Sequence, residues 1–216
     1  MGMVRALAIA SMVVLAAMMG ITFATGVSQE TFEIARAPGD YVRELREFAV
    51  PLRALFALDS AFLVLYGTLL IQFALRLRTP ETRSLVAIVV GAVLVTVALD
   101  MIEDHAILAM LRLAERGAEP SGTQIAVQHV VSQVKFHVGY FALFVLGLVV
   151  PRTSRTAVVL AGLLTVGTLV QGAWLYAAPD RALPAGNIGR WIGFLVGFAL
   201  IAKISRDGGA ARDARV

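Results

Sequence analysis

The chain has 216 residues, 58% of them hydrophobic and only 16% charged, with a mean hydropathy of +0.79, no cysteine and a formal net charge of +4. Soluble domains are about 45–50% apolar and about 25% charged, so this composition excludes an ordinary water-soluble fold, and the missing cysteine excludes disulfides, thiolate metal sites, cysteine nucleophiles and c-type haem attachment. The positive charge comes mainly from arginines flanking apolar runs, with no basic run interleaved with aromatics, so nucleic acid is not an expected partner.

The apolar runs are about 20 residues long and do not alternate, which in a bilayer means helices rather than a barrel. Six such runs cover 6–25, 52–75, 84–111, 125–150, 156–177 and 188–204. The first follows Arg5 and could be read as a signal peptide, but its apolar run exceeds the usual h-region of about 7–15 residues. It is therefore read as an uncleaved span. The expected fold class is an all-α integral membrane protein: a bundle of about six transmembrane helices forming one domain over 1–205, with a disordered cytoplasmic tail over 206–216.

Most connections are short. Residues 76–83 (RLRTPETR) turn at Pro80, 112–123 contain Gly117, Pro120 and Gly122, 151–155 are tight, and 179–186 carry two prolines and a glycine. The exception is 27–51. Asp40 follows Pro38-Gly39 there and is placed to cap a helix running to Val50. Tyr41, Leu45, Phe48 and Ala49 would share one face of it, with Arg43, Glu44, Arg46 and Glu47 mostly elsewhere, which reads as an amphipathic helix lying on the membrane surface. The short, purely basic linkers fall on the side of the N-terminus, the second and fourth loops and the C-terminus, so both termini are expected in the cytoplasm of a cell whose inner (plasma) membrane holds the protein.

Removing the loop charges leaves Asp59, Asp100, Glu103, Asp104 and Lys135, with His105, His129 and His137, inside apolar spans. Ionisable groups are costly in a membrane and mark functional sites by default. Reflecting positions through the hairpin turns places Asp59, Asp100, Lys135 and Gln171 in one layer, with Lys135 roughly 15 Å deep in a core about 30 Å thick. At about 100° per residue, Asp100, Glu103 and Asp104 share one arc of the third span. His129, Gln133, Phe136 and Tyr140 form a stripe on the fourth, with Lys135 on its flank, while His105 points away from the acids of its own helix. Four carboxylates against one lysine leave an excess of negative charge that protons, histidines, water or a bound cation must relieve.

The expected ligand- or proton-binding residues are Asp59, Asp100, Glu103, Asp104, Lys135, Gln171, Gln133 and Tyr140. The leading function is binding or moving a small molecule or ion, coupled to protons. A second is a metal-dependent hydrolase acting on a lipid, with His129, His137 and Asp104 as candidate metal ligands and Glu103 as general base. His129 and His137 stand about 12 Å apart along a straight helix, so at most one of them would hold a given ion. A haem between His105 and His129, at equal depth, is a further option that the many acids disfavour. A structural or partner-binding subunit is the reading without chemistry. Aromatic residues Trp174, Tyr176 and Trp191 are expected at the membrane interface, and the glycines at close helix contacts. No HExxH, Walker A, GxSxG or dinucleotide-binding glycine motif is present.

Overall fold

The protein is described by a computed structural model over residues 2–177 and 182–213. In chain order it consists of α1 (Gly2–Thr25), a 3-10 turn (Gln29–Phe32), α2 (Pro38–Glu47), α3 (Ala49–Arg76), α4 (Arg83–Glu115) and α5 (Gly122–Val149). There follow α6 (Arg155–Gly162), a π-helical turn (Leu163–Gly167), α7 (Thr168–Ala177) and α8 (Ala182–Asp213). Six helical stretches are long and apolar enough to cross a membrane, α6 and α7 forming one of them together. The chain is thus an all-α, multi-pass membrane protein, and each expected apolar run lies within an observed helical stretch, overshooting it by at most one residue.

Local chemistry sets the helix ends. Ser121 and Gln124 form a reciprocal capping box at the start of α5, and Ser154 caps α6 through the Ala157 amide. Gly117, with φ +81°, lets the chain turn back after α4 while the Ala118 amide donates to the Leu113 carbonyl. The helix expected from Asp40 begins instead at Pro38, behind Ala37, and Asp40 lies in its first turn, bonded to Arg43 at 2.9 Å. Proline already has the helical φ and lacks the amide that a first-turn residue leaves unused. Of the loop at 179–186, residues 178–181 lie outside the described residues, and Pro184 and Gly186 belong to α8. α8 continues as helix to Asp213, past the apolar run.

The spans close into a ring. α1 packs on α8 and α3, α3 on α4, α4 on α5, α5 on the fifth span, and the fifth span on α8. Large apolar side chains such as Val13, Val64, Leu94, Val130 and Val196 point outward, as lipid-facing positions do. Two buried clusters fill the interior. The larger joins α1, α3, α4, α5, α6 and α8. The smaller lies under the first loop, where Phe32, Tyr41, Leu45, Leu52, Ile107 and Ile125 meet. The apolar face of α2 is therefore turned onto protein: Tyr41, Val42 and Leu45 are buried, and Arg46 Nε donates to the Ala114 carbonyl at 2.6 Å. A short helix gains more by covering a neighbouring apolar surface than by floating beside it.

Candidate functional site

Four spans and the first loop deliver charge to the centre of the ring. On α4, Asp100, Glu103, Asp104 and Ile107 share the i, i+3, i+4 face, and Ile107 belongs to the core, so the acids must point inward. Lys135 enters from α5 at only 6% exposure. Its ammonium lies 2.6 Å from Glu103 Oε2, 2.9 Å from Asp100 Oδ1 and 3.5 Å from Glu33 Oε1. An ammonium has three protons to donate, and three carboxylates surround it.

A second group of acids lies beside this knot. Asp59, Asp100 and Asp104 each present an oxygen within 4.8 Å of the other two. Gln29 reaches in from the 3-10 turn, and its side-chain amide donates to both Asp59 Oδ2 and Asp104 Oδ1, each at 3.4 Å. The Tyr66 hydroxyl donates to Asp100 Oδ2 at 3.3 Å, and the Gln128 amide to Glu103 Oε1 at 3.5 Å.

The third element is a bridge between loop and ring. Glu30 Oε1 accepts from Arg190 Nη2 at 3.0 Å and from the Trp191 indole at 3.1 Å, and its other oxygen accepts from the Ser28 hydroxyl. Burial pushes the Glu30 carboxyl above the ordinary carboxylate range, against the opposing pull of the Arg190 guanidinium. Arg190 and Lys135 both sit over the Phe136 ring, 4.3 and 4.5 Å from its centroid.

Most of these groups line a cavity of about 130 Å³; Glu103, Asp104 and Gln128 are not part of its wall. Glu30, Glu33, Asp59 and Asp100 line its polar part, and Leu70, Val93 and Ala142 its apolar part. Leu70 is three helical turns beyond Asp59 on α3, roughly 16 Å, so the cavity grades from charged to apolar along the bundle axis.

Of the residues singled out from sequence, Asp59, Asp100, Glu103, Asp104 and Lys135 come together, and Tyr140 lines the same cavity. Gln171 does not join them. It lines a second cavity, of about 240 Å³, between the fifth span and α8. A π-helical turn precedes Gln171; such a turn holds an extra residue, so positions beyond Gly167 are rotated by about 100° from a regular helix. Gln133 is not among the cavity-lining residues, and its carbonyl accepts from His137 Nδ1 at 2.7 Å. His129 Nδ1 donates to the Glu33 carbonyl at 2.9 Å, which fixes the loop to α5. His105, exposed on the outside of α4, donates to the Met101 carbonyl at 2.8 Å. The three-acid group is therefore assembled without a histidine.

Sequence reasoning missed Gln29, Glu30, Glu33 and Arg190. The three loop residues sit in a stretch whose pattern resembles any polar connection. Arg190 reads as a flanking charge, although its place inside the apolar run beginning at Ile188, next to Trp191, was a signal. The Trp191 indole is bonded to Glu30 of the first loop, and Trp174 is half-exposed; the Tyr176 side chain lies outside the described residues. No known protein family, curated protein or solved structure matches the chain.

Proposed function

We propose that the protein binds a cation in this cavity, entering from the side of the first loop, and exchanges protons with it. The observation that carries the reading is charge balance. Among the described residues, Glu30, Glu33, Asp59 and Asp100 line the cavity with Lys135 and Arg190, and Glu103 and Asp104 adjoin that set at Lys135 and at Asp59 and Asp100, six carboxylates to two basic groups, a formal −4. Uncompensated buried charge costs several kcal/mol per ion. Protons relieve it in the resting protein, and a cation that displaces them relieves it in the bound one. Lys135 holds Asp100 and Glu103 in place, leaving the Asp59 edge to exchange. By the distribution of basic linkers, the first loop faces outward and both termini lie in the cytoplasm of an inner membrane.

The test is a titration of the protein in nanodiscs with Mn²⁺, read by thermal shift and by proton release into weakly buffered medium. Wild type should be stabilised and should release protons on binding, and Asp59→Asn and Asp100→Asn should lose both responses. Asparagine variants that respond as the parent does would remove the site from consideration.

A second reading is a metal-dependent lipid hydrolase, favoured by the three carboxylate oxygens within 4.8 Å. An all-oxygen set suits a hard cation such as Mg²⁺, Ca²⁺ or Mn²⁺ rather than the histidine-bound zinc expected from sequence. Glu103, bonded to Lys135 and Gln128, is poorly placed as its general base. Turnover of a phospholipid that needs Mn²⁺ and Asp59 would establish this reading; bound metal without turnover would leave cation binding.

A further inference from the structure

The second cavity is not isolated from the first. Leu70, Tyr140, Leu143, Arg190 and Phe194 line both, so the two spaces meet at one shared wall. They differ in charge: the first holds four carboxylates, the second none, its polar groups being Tyr140, Thr168, Gln171 and the shared Arg190. The second is walled by Leu163, Leu164, Phe198 and Ile201 and by the glycines Gly167, Gly189, Gly193 and Gly197, which hold it open for want of side chains. At the junction Phe62, Tyr66 and Phe194 form a ring cluster, with centroids 5.0 Å apart for Phe62–Tyr66, 6.2 Å for Phe62–Phe194 and 6.3 Å for Tyr66–Phe194. The Tyr66 hydroxyl is bonded to Asp100, so this aromatic cluster touches the carboxylates directly.

Resting on the cation reading above, we infer that the ligand is an amphiphilic organic cation: an alkylammonium whose head lies between Asp59, Asp100 and the Phe62–Tyr66–Phe194 rings and whose apolar tail occupies the second cavity. Three features converge on that class. The carboxylate excess selects positive charge and rejects anions. Aromatic faces beside carboxylates suit an alkylated ammonium, which sheds water at lower cost than a small metal ion and is attracted by ring quadrupoles. The glycine-lined space across the shared wall accepts hydrocarbon, and each methylene moved there from water tightens binding about fourfold. An inorganic ion would make no use of the second cavity.

Trp191, bonded to Glu30 at the rim of the first cavity, is a built-in reporter, and Trp174 is the chain's other tryptophan. In a Trp174→Phe background in nanodiscs, Trp191 fluorescence would be followed against tetramethylammonium, decyltrimethylammonium and decyl sulfate. The decyl cation should saturate the response at a concentration at least about tenfold below that of tetramethylammonium, since burial of two methylenes is enough for that gain. Decyl sulfate should give no saturable response. Asp59→Asn and Asp100→Asn should each abolish the response to both ammonium ions. Gly193→Leu should fill the second cavity, where a Cβ at Gly193 meets nothing within 4 Å. It should raise the concentration needed for decyltrimethylammonium about tenfold and leave tetramethylammonium unchanged, and Gly197→Leu is the second variant of the same kind. Equal response to the two ammonium ions, an equal response to decyl sulfate, or no effect of either leucine in a protein that melts like the parent overturns the inference. An Asp100-dependent Mn²⁺ response with none to the ammonium ions also overturns it but leaves the cation site standing. Silence toward every cation overturns both.

Discussion

The two cavities share a wall, yet the chain builds them in different ways. The charged one is assembled from long side chains contributed by α3, α4, α5, α8 and the first loop, each held by several partners: Lys135 by three carboxylates, Glu30 by an arginine, an indole and a hydroxyl. The apolar one is defined by what is missing, the side chains that the glycines of α8 and the π turn lack; beside it the Thr168 hydroxyl donates to the Leu164 and Thr165 carbonyls of that turn. Charge inside a bilayer has to be enclosed and paired on every side, which demands a network. Apolar space beside lipid demands only that nothing fill it. Damage to the first should therefore propagate, while damage to the second should stay local.

The sharpest test of that contrast is Lys135→Ala. It leaves Glu33, Asp100 and Glu103 around an empty centre, and breaking a buried pair this way costs about 3–5 kcal/mol. Thermal unfolding in nanodiscs should show a larger drop for this substitution than for any of those that follow, and a drop no larger than that of a cavity-lining glycine variant would break the comparison. Next comes Gly147→Leu, at the contact of α5 with the π turn, where a Cβ would stand 2.7 Å from Thr165 Cγ2, 2.9 Å from Leu164 Cβ and 3.2 Å from the Ala161 carbonyl. Crowding there should cost about 1–3 kcal/mol by the same measurement, whereas Gly162→Ala, with nothing within 4 Å, should stay within about 0.5 kcal/mol of the parent.

Glu30→Gln sharpens the comparison through pH. Folding raises the pKa of Glu30, so the folded state binds this proton more tightly than the unfolded chain does. Its contribution is most favourable at or below the ordinary value of 4.5 and falls as pH rises through the folded value. Glutamine cannot titrate, so melting temperatures measured across that range should decline less steeply with pH in the variant; parallel profiles would place Glu30 in water rather than under the loop. A local effect is expected from Tyr41→Phe. It removes the buried hydroxyl that donates to the Phe32 carbonyl at 3.1 Å, worth about 0.5–1.5 kcal/mol, and should loosen the first-loop cover. Hydrogen exchange of the Phe32–Glu33 segment should rise while that of α5 does not.

The spans were legible because a bilayer imposes one strong, local rule: about 20 apolar residues, each helix satisfying its own backbone. The same rule exposed Asp59, Asp100, Glu103, Asp104 and Lys135, since any charge within such a run stands out. Depth followed from counting through short hairpins, and it places Asp100 level with Lys135, which the structure finds 2.9 Å apart. Counting gave Gln171 a depth but no facing, and beyond the π turn it lines the second cavity.

What the sequence determined by itself was the number of membrane-spanning helices and the identity of the charges inside them, because both follow from the free energy of moving single residues into hydrocarbon. What only the tertiary structure decided was who meets whom. Gln29, Glu30 and Glu33 reach the centre because a 3-10 turn folds inward over α3 and α8, and Arg190 answers them because α1 holds α8 closed against the ring. Those contacts depend on loop conformation and ring closure, which join residues up to 160 positions apart and leave no periodicity in the chain.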